Sequence, residues 1–575
     1  MAHPSLAMSE RAVSATPSER ADLDAALAVL ADHATELARL SPQEKASLLR
    51  ECIAKTADCA HAWATEGAAA MRLPASAAGE VWLSGPLPTV RMARLLAQSL
   101  DAIAAGGRPP LGRKSHTRAD GRLEVDVFPA SAHDRVLFAG FSAKVLFQEG
   151  ITKSEAIRRQ AAFYHQRNPE GGVSLVLGAG NVSSIPPMDV FTKMFADGNV
   201  CLLKMNPVNE WAGPYLERAL SPLIARGFLR VVYGGADVGS YLVYHPTVAD
   251  VHITGSDRTH DLIVWGPEGA ERDRRLADNE PLLEKPITSE LGNVSPVAIV
   301  PYTYGDDELA FQARNLATMV INNASFNCNA AKMIITARGW SQREQFLDLV
   351  AAQLAKAPPR CAYYPGAFDR YQQLTGQRDG VERFGEPGQG ELAWALIRGV
   401  DSDRKDEPLF RTEPFCGIVS ETAVGSADPI EFLATATPFM NDRLWGTLNA
   451  ALIVHPALES DPATGKAIDD AVVALRYGTV GINHWPAVSY GIATAPWGGH
   501  DSVNLKDIQS GLGFVHNTFL LDGIDKSILR GPLKAWPAPV WFWDNAKAAK
   551  LGPRLVDFEA APSWLKVPGI ALRAL

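Results

Sequence analysis

The chain has 575 residues, more than one hydrophobic core usually supports, so two or three domains are expected. With 47% hydrophobic residues, 21% charged residues and a net charge of −9, it is typical of a globular protein without the basic surface that nucleic acids require. The six cysteines have no zinc-site or disulfide-framework spacing, no apolar run reaches the roughly 18 residues of a membrane span, and the polar N-terminus lacks a secretory signal. These patterns predict a cytoplasmic protein with no metal, no nucleic acid and no membrane span.

The N-terminal part of the chain is predicted to be a flexible tail followed by helices and a strand pair. Residues 1–20 are polar and rich in alanine and serine, which is typical of a loose tail. Leucines on one stripe predict helices up to about residue 105, and the Ser-Pro-Gln-Glu sequence at 41–44 predicts a helix cap. Alternating residues at 122–127 and 136–141 predict two strands, so the region 21–170 combines helices with oligomerisation strands.

The middle of the chain alternates short apolar runs with helical stretches. Such alternation is typical of parallel, doubly wound sheets, and it occurs in two series, 171–296 and 297–500. We therefore expect an α/β fold with two doubly wound α/β domains, the first a Rossmann-like nucleotide-binding domain. The predicted strands are 173–177, 200–203, 229–233, 251–254, 297–300, 333–336 and 479–483, and the predicted helices of the first series are 189–196 and 210–226.

The last segment, residues 501–575, is unusual in its aromatic content. Trp536, Trp541, Trp543 and Trp564 follow one another among several prolines. We expect an extended arm and a C-terminal extension whose aromatic side chains pack on the body of the protein or on a partner subunit.

Three residues in this frame could carry chemistry. Cys328 stands between asparagines just before a predicted strand, and a thiolate in such a setting is a nucleophile. Glu290 precedes a glycine turn and a strand, where a general base can be presented. Asn181 directly follows a predicted strand, and its amide could donate to an oxyanion. Taken singly, each is as typical of a core cysteine, a loop glutamate or a turn asparagine.

Taken together, five segments between about residues 123 and 517 resemble the aldehyde dehydrogenase superfamily. They stand in the order of that family and at predicted strand–turn sites. The segments are Gly180-Asn181 followed after 23 residues by Lys204; the stretch from His245 that ends in Ile-Thr-Gly255-Ser256; Glu290-Leu-Gly; Asn323 followed after five residues by Cys328; and Glu413-Pro-Phe415, with Asn441 to Thr447 and Pro496-Trp-Gly-Gly499 behind it.

The resemblance implies a role for each of the three candidate residues. Cys328 attacks the aldehyde carbon to form a thiohemiacetal, whose oxyanion is held by the Asn181 amide and the Cys328 backbone N–H. Loss of a hydride to the cofactor then leaves a thioester on Cys328. Glu290 activates the water that hydrolyses this thioester and contributes to deprotonating the thiol. The expected activity is NAD(P)-dependent oxidation of an aldehyde to a carboxylic acid.

The resemblance also implies how a nicotinamide cofactor binds. Lys204 reaches the adenosine ribose, Gly255 and Ser256 lie along the pyrophosphate, Glu413 binds the nicotinamide ribose, and Phe415 packs near that end. The cofactor is NAD or NADP.

Several positions depart from the family pattern. Pro207 stands three residues after Lys204, where NAD-preferring members tend to carry a glutamate, so both NAD and NADP stay open. The segment 257–289 is longer than usual, and we expect a solvated surface insertion there. Asn293 and Val294 replace a glycine and a lysine. The chain is thus expected to be a divergent member.

Two other functions compete with the hydrolytic one. A coenzyme A-acylating aldehyde dehydrogenase, or acyl-CoA reductase, would keep the nucleophile, but members that resemble that branch usually lack a glutamate at the position of Glu290. A catalytically silent binding or structural homologue would need none of Cys328, Glu290, Asn181 and Lys204, all of which are present.

The substrate and the assembly are less constrained. Bulky residues beside the motifs favour an apolar or aromatic aldehyde over a charged one, although core packing explains them equally well. The resemblance implies a homodimer or homotetramer in which the strand pair and the C-terminal arm add strands to a neighbour's sheet. The candidate lining residues are Met188, Phe195, Phe326, His484, Trp485 and Tyr490.

Overall fold

The computed structural model of the chain describes residues 16–574. The predicted tail, residues 1–20, therefore lies largely outside the described residues. The described chain is a mixed α/β structure with two large sheets, as the sequence predicts. None of its described helices is both long and apolar enough to cross a membrane.

The strands of the described chain form two main sheets and one short pair. In chain order they are β1 (Ser115–Thr117), β2 (Leu123–Phe128), β3 (Ser142–Phe147), β4 (Val173–Leu177), β5 (Val200–Lys204), β6 (Leu229–Val232), β7 (Val248–Thr254), β8 (Ile287–Glu290), β9 (Pro296–Ile299), β10 (Met333–Ala337), β11 (Arg360–Cys361), β12 (Val381–Phe384), β13 (Glu391–Leu392), β14 (Trp394–Ile397), β15 (Ile418–Val424), β16 (Asn449–Ile453), β17 (Thr479–Ile482) and β18 (Ile524–Arg530).

The helices cover both faces of the sheets and both ends of the chain. They are α1 (Arg20–Arg39), α2 (Pro42–Ala70), α3 (Gly79–Ser84), α4 (Pro86–Ala104), α5 (Ala132–Leu137), α6 (Lys153–Arg159), α7 (Ile185–Phe195), α8 (Gly213–Ala219), α9 (Ser221–Ala225), α10 (Ala236–Val243), α11 (Asp257–Trp265), α12 (Ala270–Asp278), α13 (Asp306–Ile321), α14 (Arg343–Lys356), α15 (Ala367–Thr375), α16 (Pro408–Arg411), α17 (Pro429–Arg443), α18 (Pro456–Ser460), α19 (Pro462–Ala474), α20 (Ala487–Ile492), α21 (Ala548–Ala560) and α22 (Val567–Ala574). Short 3₁₀ turns occur at Ala75–Ala77, Ala162–His165, Pro207–Ala212 and Asn322–Ser325.

The first sheet is five-stranded and entirely parallel, in the order β6-β5-β4-β7-β8. Its central strands β4 and β5 are largely apolar and buried because helices cover both faces. The helices α1, α2 and α4 share one hydrophobic core with this sheet, through residues such as Leu49, Trp63 and Phe191. The predicted strands of the first series are all present, with ends that differ by one residue in β5 and β6 and by three residues at the start of β7.

The second sheet has eleven strands, in the order β1-β2-β3-β18-β17-β16-β9-β10-β15-β14-β12. Its centre is parallel, from β17 through β14. β18 pairs in parallel with β17 and antiparallel with β3. The strands that the resemblance assigns to an oligomerisation arm therefore complete the second sheet of the same chain.

The prediction of a strand at residues 136–141 is wrong. The apolar stretch 136–141 is not a strand, because Ser131 and Asp134 form a capping box that starts α5 across its first residues. The partner of β2 is instead β3. A second capping box, between Ser41 and Glu44, confirms the predicted start of α2.

The C-terminal extension folds back on the N-terminal helices. α21 packs against α3 and α4, and its Glu559 accepts a hydrogen bond from Arg91 of α4 at 2.7 Å. The same guanidinium donates to Asp134 at 3.0 Å, and all three side chains are buried. Since breaking a buried, hydrogen-bonded ion pair is costly, this network fixes the extension to the body of the protein.

Candidate active site

A cleft of about 840 Å³ opens at the carboxyl ends of the strands of the first sheet, facing the second sheet. Ligand sites of doubly wound sheets lie at this edge. Lys204 ends β5, Thr254 ends β7 and Glu290 ends β8, and all three side chains line the cleft. Cys328 lines the same cleft from the loop before β10.

Glu290 and Cys328 lie together at the floor of this cleft. Glu290 is 3% exposed, and its burial raises the pKa of the carboxyl to about 7, although the neighbouring Cys328 thiol and the Trp497 indole oppose the rise. Burial, followed by the charge of Glu290, raises the pKa of the Cys328 thiol well above its usual range. The thiol is therefore protonated in the free site, and Glu290 is the base beside it.

The loop that presents Cys328 has an unusual backbone. Asn323, Ala324 and Ser325 have φ values of 53°, 53° and 67°, in the left-handed region that non-glycine residues seldom adopt. Each such residue costs roughly 1–3 kcal/mol, which surrounding contacts must offset. The Asn323 amide supplies three of these contacts, since it lies 3.0 Å from the carbonyl of Asn181, 3.1 Å from that of Phe326 and 3.0 Å from Asn327 Oδ1. The strain and its supports place the thiol at a defined position.

Lys332 is a second support, which the sequence analysis did not assign. Its side chain is fully buried and its Nζ donates to the carbonyls of Asn327 at 2.8 Å and Cys328 at 3.3 Å. It also forms an ion pair of 2.9 Å with Glu413. Its positive charge opposes the rise in the pKa of Cys328. A lysine placed immediately before a fully apolar strand was the sequence signal for a buried cation.

Asn181 lies beside the loop that carries Cys328. Its Nδ2 donates to the carbonyl of Phe326 at 2.9 Å, two residues before Cys328. A primary amide carries two N–H groups, so one remains available for an oxyanion. Asn181 thus joins the first domain to the nucleophile loop.

The five residues predicted to bind a cofactor also line the cleft: Lys204, Gly255, Ser256, Glu413 and Phe415. The side chain of Ser256 caps the nine-residue helix α11 by accepting from the N–H of Thr259 at 3.2 Å. Helix N-termini favour anions, so this end of the cleft fits a pyrophosphate. At Gly292 an added Cβ would lie 2.1 Å from Glu413 Oε2, so any other residue there would displace the Glu413 carboxylate. The donor set fits a dinucleotide.

The charges around Lys204 bear on the choice of cofactor. Burial lowers the pKa of the Lys204 ammonium, and the nearby carboxylates of Glu210 and Asp237 oppose this change. Pro207 carries no charge, but Glu210 and Asp237 place negative charge near Lys204, although the expected glutamate is absent at position 207. A 2′-phosphate at this position would meet both acids.

The segment 257–289 contains two different helices. α11 contributes Arg258, Leu262 and Ile263 to the wall of the cleft, whereas α12 has no buried residue. The segment is therefore exposed only in part.

The predicted substrate-lining residues are dispersed. Met188 and Phe195 are buried in the core of the first domain, and His484 bonds to the carbonyl of Pro532. Tyr490 instead packs beside Cys328 and Trp497. The surroundings of the thiol thus include an aromatic wall, of which Trp497 was missed.

Comparison with known proteins gives one family match. Residues 128–360 match the aldehyde dehydrogenase family. Betaine aldehyde dehydrogenase 2 of Rhizobium meliloti (strain 1021) is 29% identical over 193 residues, which are 33% of this chain and 36% of that protein. The matched part thus spans about a third of the length of this relative.

Solved structures share the fold over most of the chain. An NADP-dependent glyceraldehyde-3-phosphate dehydrogenase from Bacillus halodurans C-125, complexed with NADP, aligns with a TM-score of 0.59 at 17% identity, covering 89% of this chain and 92% of that one. An NAD-dependent aldehyde dehydrogenase from Sinorhizobium meliloti aligns with a TM-score of 0.58 at 18% identity, covering 90% and 88%. Residues 128–360 thus resemble the aldehyde dehydrogenase family, and the solved structures show that the chain shares the fold of aldehyde dehydrogenases over most of its length.

Proposed function

We propose that the protein oxidises an aldehyde to a carboxylic acid with NAD or NADP, through a covalent intermediate on Cys328. The observation that carries this proposal is the pairing of the Cys328 thiol with the buried carboxyl of Glu290 at the floor of the cleft. A nucleophile beside a base is the arrangement that covalent catalysis needs.

The residues of the chain act in two half-reactions. Glu290 takes the proton of the Cys328 thiol, and the thiolate forms a C–S bond to the aldehyde carbon. The free N–H of Asn181 stabilises the resulting oxyanion, and such a donor typically contributes about 3–4 kcal/mol. In the second half-reaction Glu290 activates a water that attacks the thioester, and the C–S bond breaks as the acid leaves.

The cofactor, when bound, supplies the acceptor for the hydride that leaves the thiohemiacetal. Lys204 would bind its adenosine ribose, and the α11 N-terminus with Gly255 and Ser256 would hold its pyrophosphate. Glu413, oriented by Lys332, would bind the nicotinamide ribose beside Phe415. Each of these side chains faces the same cleft, which supports one extended dinucleotide site.

An absorbance assay for the reduced cofactor tests this function. Purified protein is mixed with NAD or NADP and a panel of aliphatic and aromatic aldehydes, with and without coenzyme A. Cys328→Ala should abolish turnover, whereas the matched control Cys361→Ala should keep it, because Cys361 is a half-buried thiol outside the cleft. Turnover only with coenzyme A would move the protein to the acylating function, and no turnover or cofactor binding would favour a silent homologue.

The assembly stays a prediction. A homodimer or homotetramer is expected from the family resemblance. The pairing of β18 with β17 of the same chain shows that the arm strands do not need a neighbour to be hydrogen-bonded. Light scattering on the purified full chain measures the number of subunits directly.

A further inference from the structure

A buried polar cluster lies behind Glu290. It consists of Asp189 on α7, His252 on β7, Thr288 on β8 and His516 in the loop before β18, and we call it the inner polar cluster. The side chains of Asp189, His252 and His516 are at most 2% exposed. None of the four is among the described residues that line the cleft. Buried polar side chains are costly, so a group of them beside a catalytic base requires an explanation.

Strand register places the cluster next to Glu290. In the parallel pair β7–β8, Thr254 lies opposite Glu290 and His252 lies opposite Thr288. Because alternate residues of a strand point to the same face, these four side chains share one face of the sheet. Asp189 covers that face from α7.

Hydrogen-bonding contacts connect three members of the cluster, Asp189, His252 and Thr288, in one line. Thr254 Oγ1 donates to Asp189 Oδ2 at 3.0 Å, and His252 Nε2 lies 3.3 Å from the same oxygen. On the other side of the ring, His252 Nδ1 lies 2.9 Å from Thr288 Oγ1. Thr288 is half-buried on the edge strand of the sheet. The line therefore leads from the neighbour of Glu290 towards the protein surface.

The inner end of this line is polar and unsatisfied. Glu290 Oε1 and Asp189 Oδ1 are buried and have no hydrogen-bond partner among residues 16–574. Both ring nitrogens of His516 are likewise unpartnered within the described chain. Thr254, which lies opposite Glu290 in the strand pair, donates to Asp189, so the carboxyls of Asp189 and Glu290 flank the same threonine. One water between their free oxygens would satisfy both.

The proposed reaction needs a proton to leave Glu290 at a particular moment. Acylation transfers the thiol proton to Glu290, and Glu290 must lose it before it can activate the hydrolytic water. A cofactor bound in the cleft would occupy the side of Glu290 that opens to solvent. A route through the cluster would carry the proton away from the cofactor side.

We propose that Asp189, His252 and Thr288 form a proton relay between Glu290 and solvent, an inference that rests on the proposed function. The proton leaves the Glu290 carboxyl for Asp189, directly or through one water. It then moves to Nε2 of His252, and the proton on Nδ1 leaves through Thr288, so no charge accumulates. A histidine that accepts on one nitrogen and donates from the other is suited to this transfer.

Titratable groups from every surrounding element contribute to the behaviour of the relay. Glu290 faces it from β8, Cys328 from the nucleophile loop, and Tyr490 from α20. His516 packs edge-to-face on Tyr490, with ring centroids 4.3 Å apart, and burial lowers its pKa to about 4. His516 is therefore neutral near pH 7 and does not itself hold the proton.

Asp189→Asn tests the relay by two measurements on the full-length protein. In rapid mixing with an aldehyde and NAD at a pH well above 7, the first burst of reduced cofactor should be preserved, because Glu290 begins ionised above its pKa of about 7. The steady-state rate should fall about tenfold or more, as expected for loss of a proton-transfer group. The matched control is Asp250→Asn, because the Asp250 carboxylate forms an ion pair with Lys193 and does not belong to the relay. The ratio of burst to steady-state rate in this variant should equal that of the wild type.

The second measurement needs no aldehyde turnover. Alkylation of Cys328 by iodoacetamide is followed against pH, and in Asp189→Asn the profile should shift to lower pH because Glu290 loses a neighbouring negative charge. If the wild type fails to oxidise any aldehyde, the proposed function is wrong, while this profile still tests the link between Asp189 and Glu290. The relay would be overturned by an alkylation profile that does not shift with pH in Asp189→Asn. It would also be overturned if the burst and the steady-state rate fell equally, or if only KM for cationic aldehydes changed.

Discussion

Removal of the Lys332 ammonium is the sharpest perturbation of the nucleophile loop. In Lys332→Met the aliphatic stem is preserved, but the carboxylate of Glu413 loses its partner at 2.9 Å and two loop carbonyls lose their donor. The Lys332 side chain is fully buried and that of Glu413 is 15% exposed. An uncompensated charge in such a site costs about 3–5 kcal/mol, with the partial exposure of Glu413 favouring the lower end.

Two assays measure this effect. The apparent melting temperature should fall by several degrees, and alkylation of Cys328 should slow because Lys332 no longer opposes the rise in the pKa of the thiol. The matched control is Lys193→Met, which breaks a buried ion pair with Asp197 and Asp250 outside the cleft. It should lower the melting temperature while leaving the alkylation rate unchanged.

A double variant completes the test of this reasoning. Adding Glu413→Gln to Lys332→Met removes the unpaired charge and should recover about half of the lost stability, since the lost carbonyl contacts remain. If the single variant melts within about half a degree of the wild type, which corresponds to roughly 0.6 kcal/mol for a protein of this size, the ion pair is not the support described above.

Three further predictions concern the reaction itself. The rate of turnover should rise as the pH increases through about 7, because Glu290 must be ionised to accept a proton and burial raises the pKa of its carboxyl to that value. Since such pKa values spread by roughly one unit, a rate that stays flat from pH 6 to pH 8 would contradict this prediction. Asn181→Ala should lower kcat by about 10²–10³-fold with a smaller change in KM, measured by steady-state kinetics. NAD should be preferred over NADP because the negative charges of Glu210 and Asp237 lie near Lys204. Asp237→Ala should therefore lower KM for NADP more than KM for NAD. If the ratio of these two KM values is unchanged in the variant, the electrostatic explanation is refuted.

The sequence predicted the sheets and the site better than it predicted their supports. Apolar runs such as 173–177 are strands because both faces are covered, and a local pattern records that burial. The stretch 136–141 is equally apolar, yet a capping box at Ser131 and Asp134 decides its structure. The periodicity of apolar residues alone does not show that a helix-capping box will override a strand pattern.

The missed residues share one physical property. Lys332 and Asp189 are buried charges whose partners are distant in the chain, at Glu413 and His252. A single sequence cannot show such pairs, because a charged residue is usually exposed. Cys328 was proposed for the opposite reason, since five segments along the chain together resemble one family.

Trapping of the covalent intermediate tests the central claim most directly. Glu290→Gln is mixed with an aldehyde and NAD, quenched in acid, digested and analysed by mass spectrometry. After prolonged reaction at raised pH, where the thiol can ionise without Glu290, the peptide that contains Cys328 should carry the acyl group of the aldehyde, because the thioester still forms slowly but the hydrolytic water is not activated. Cys328→Ala treated in the same way should carry none. An acyl group on another cysteine, or none on Glu290→Gln despite reduction of the cofactor, would contradict the assignment of Cys328 as the nucleophile.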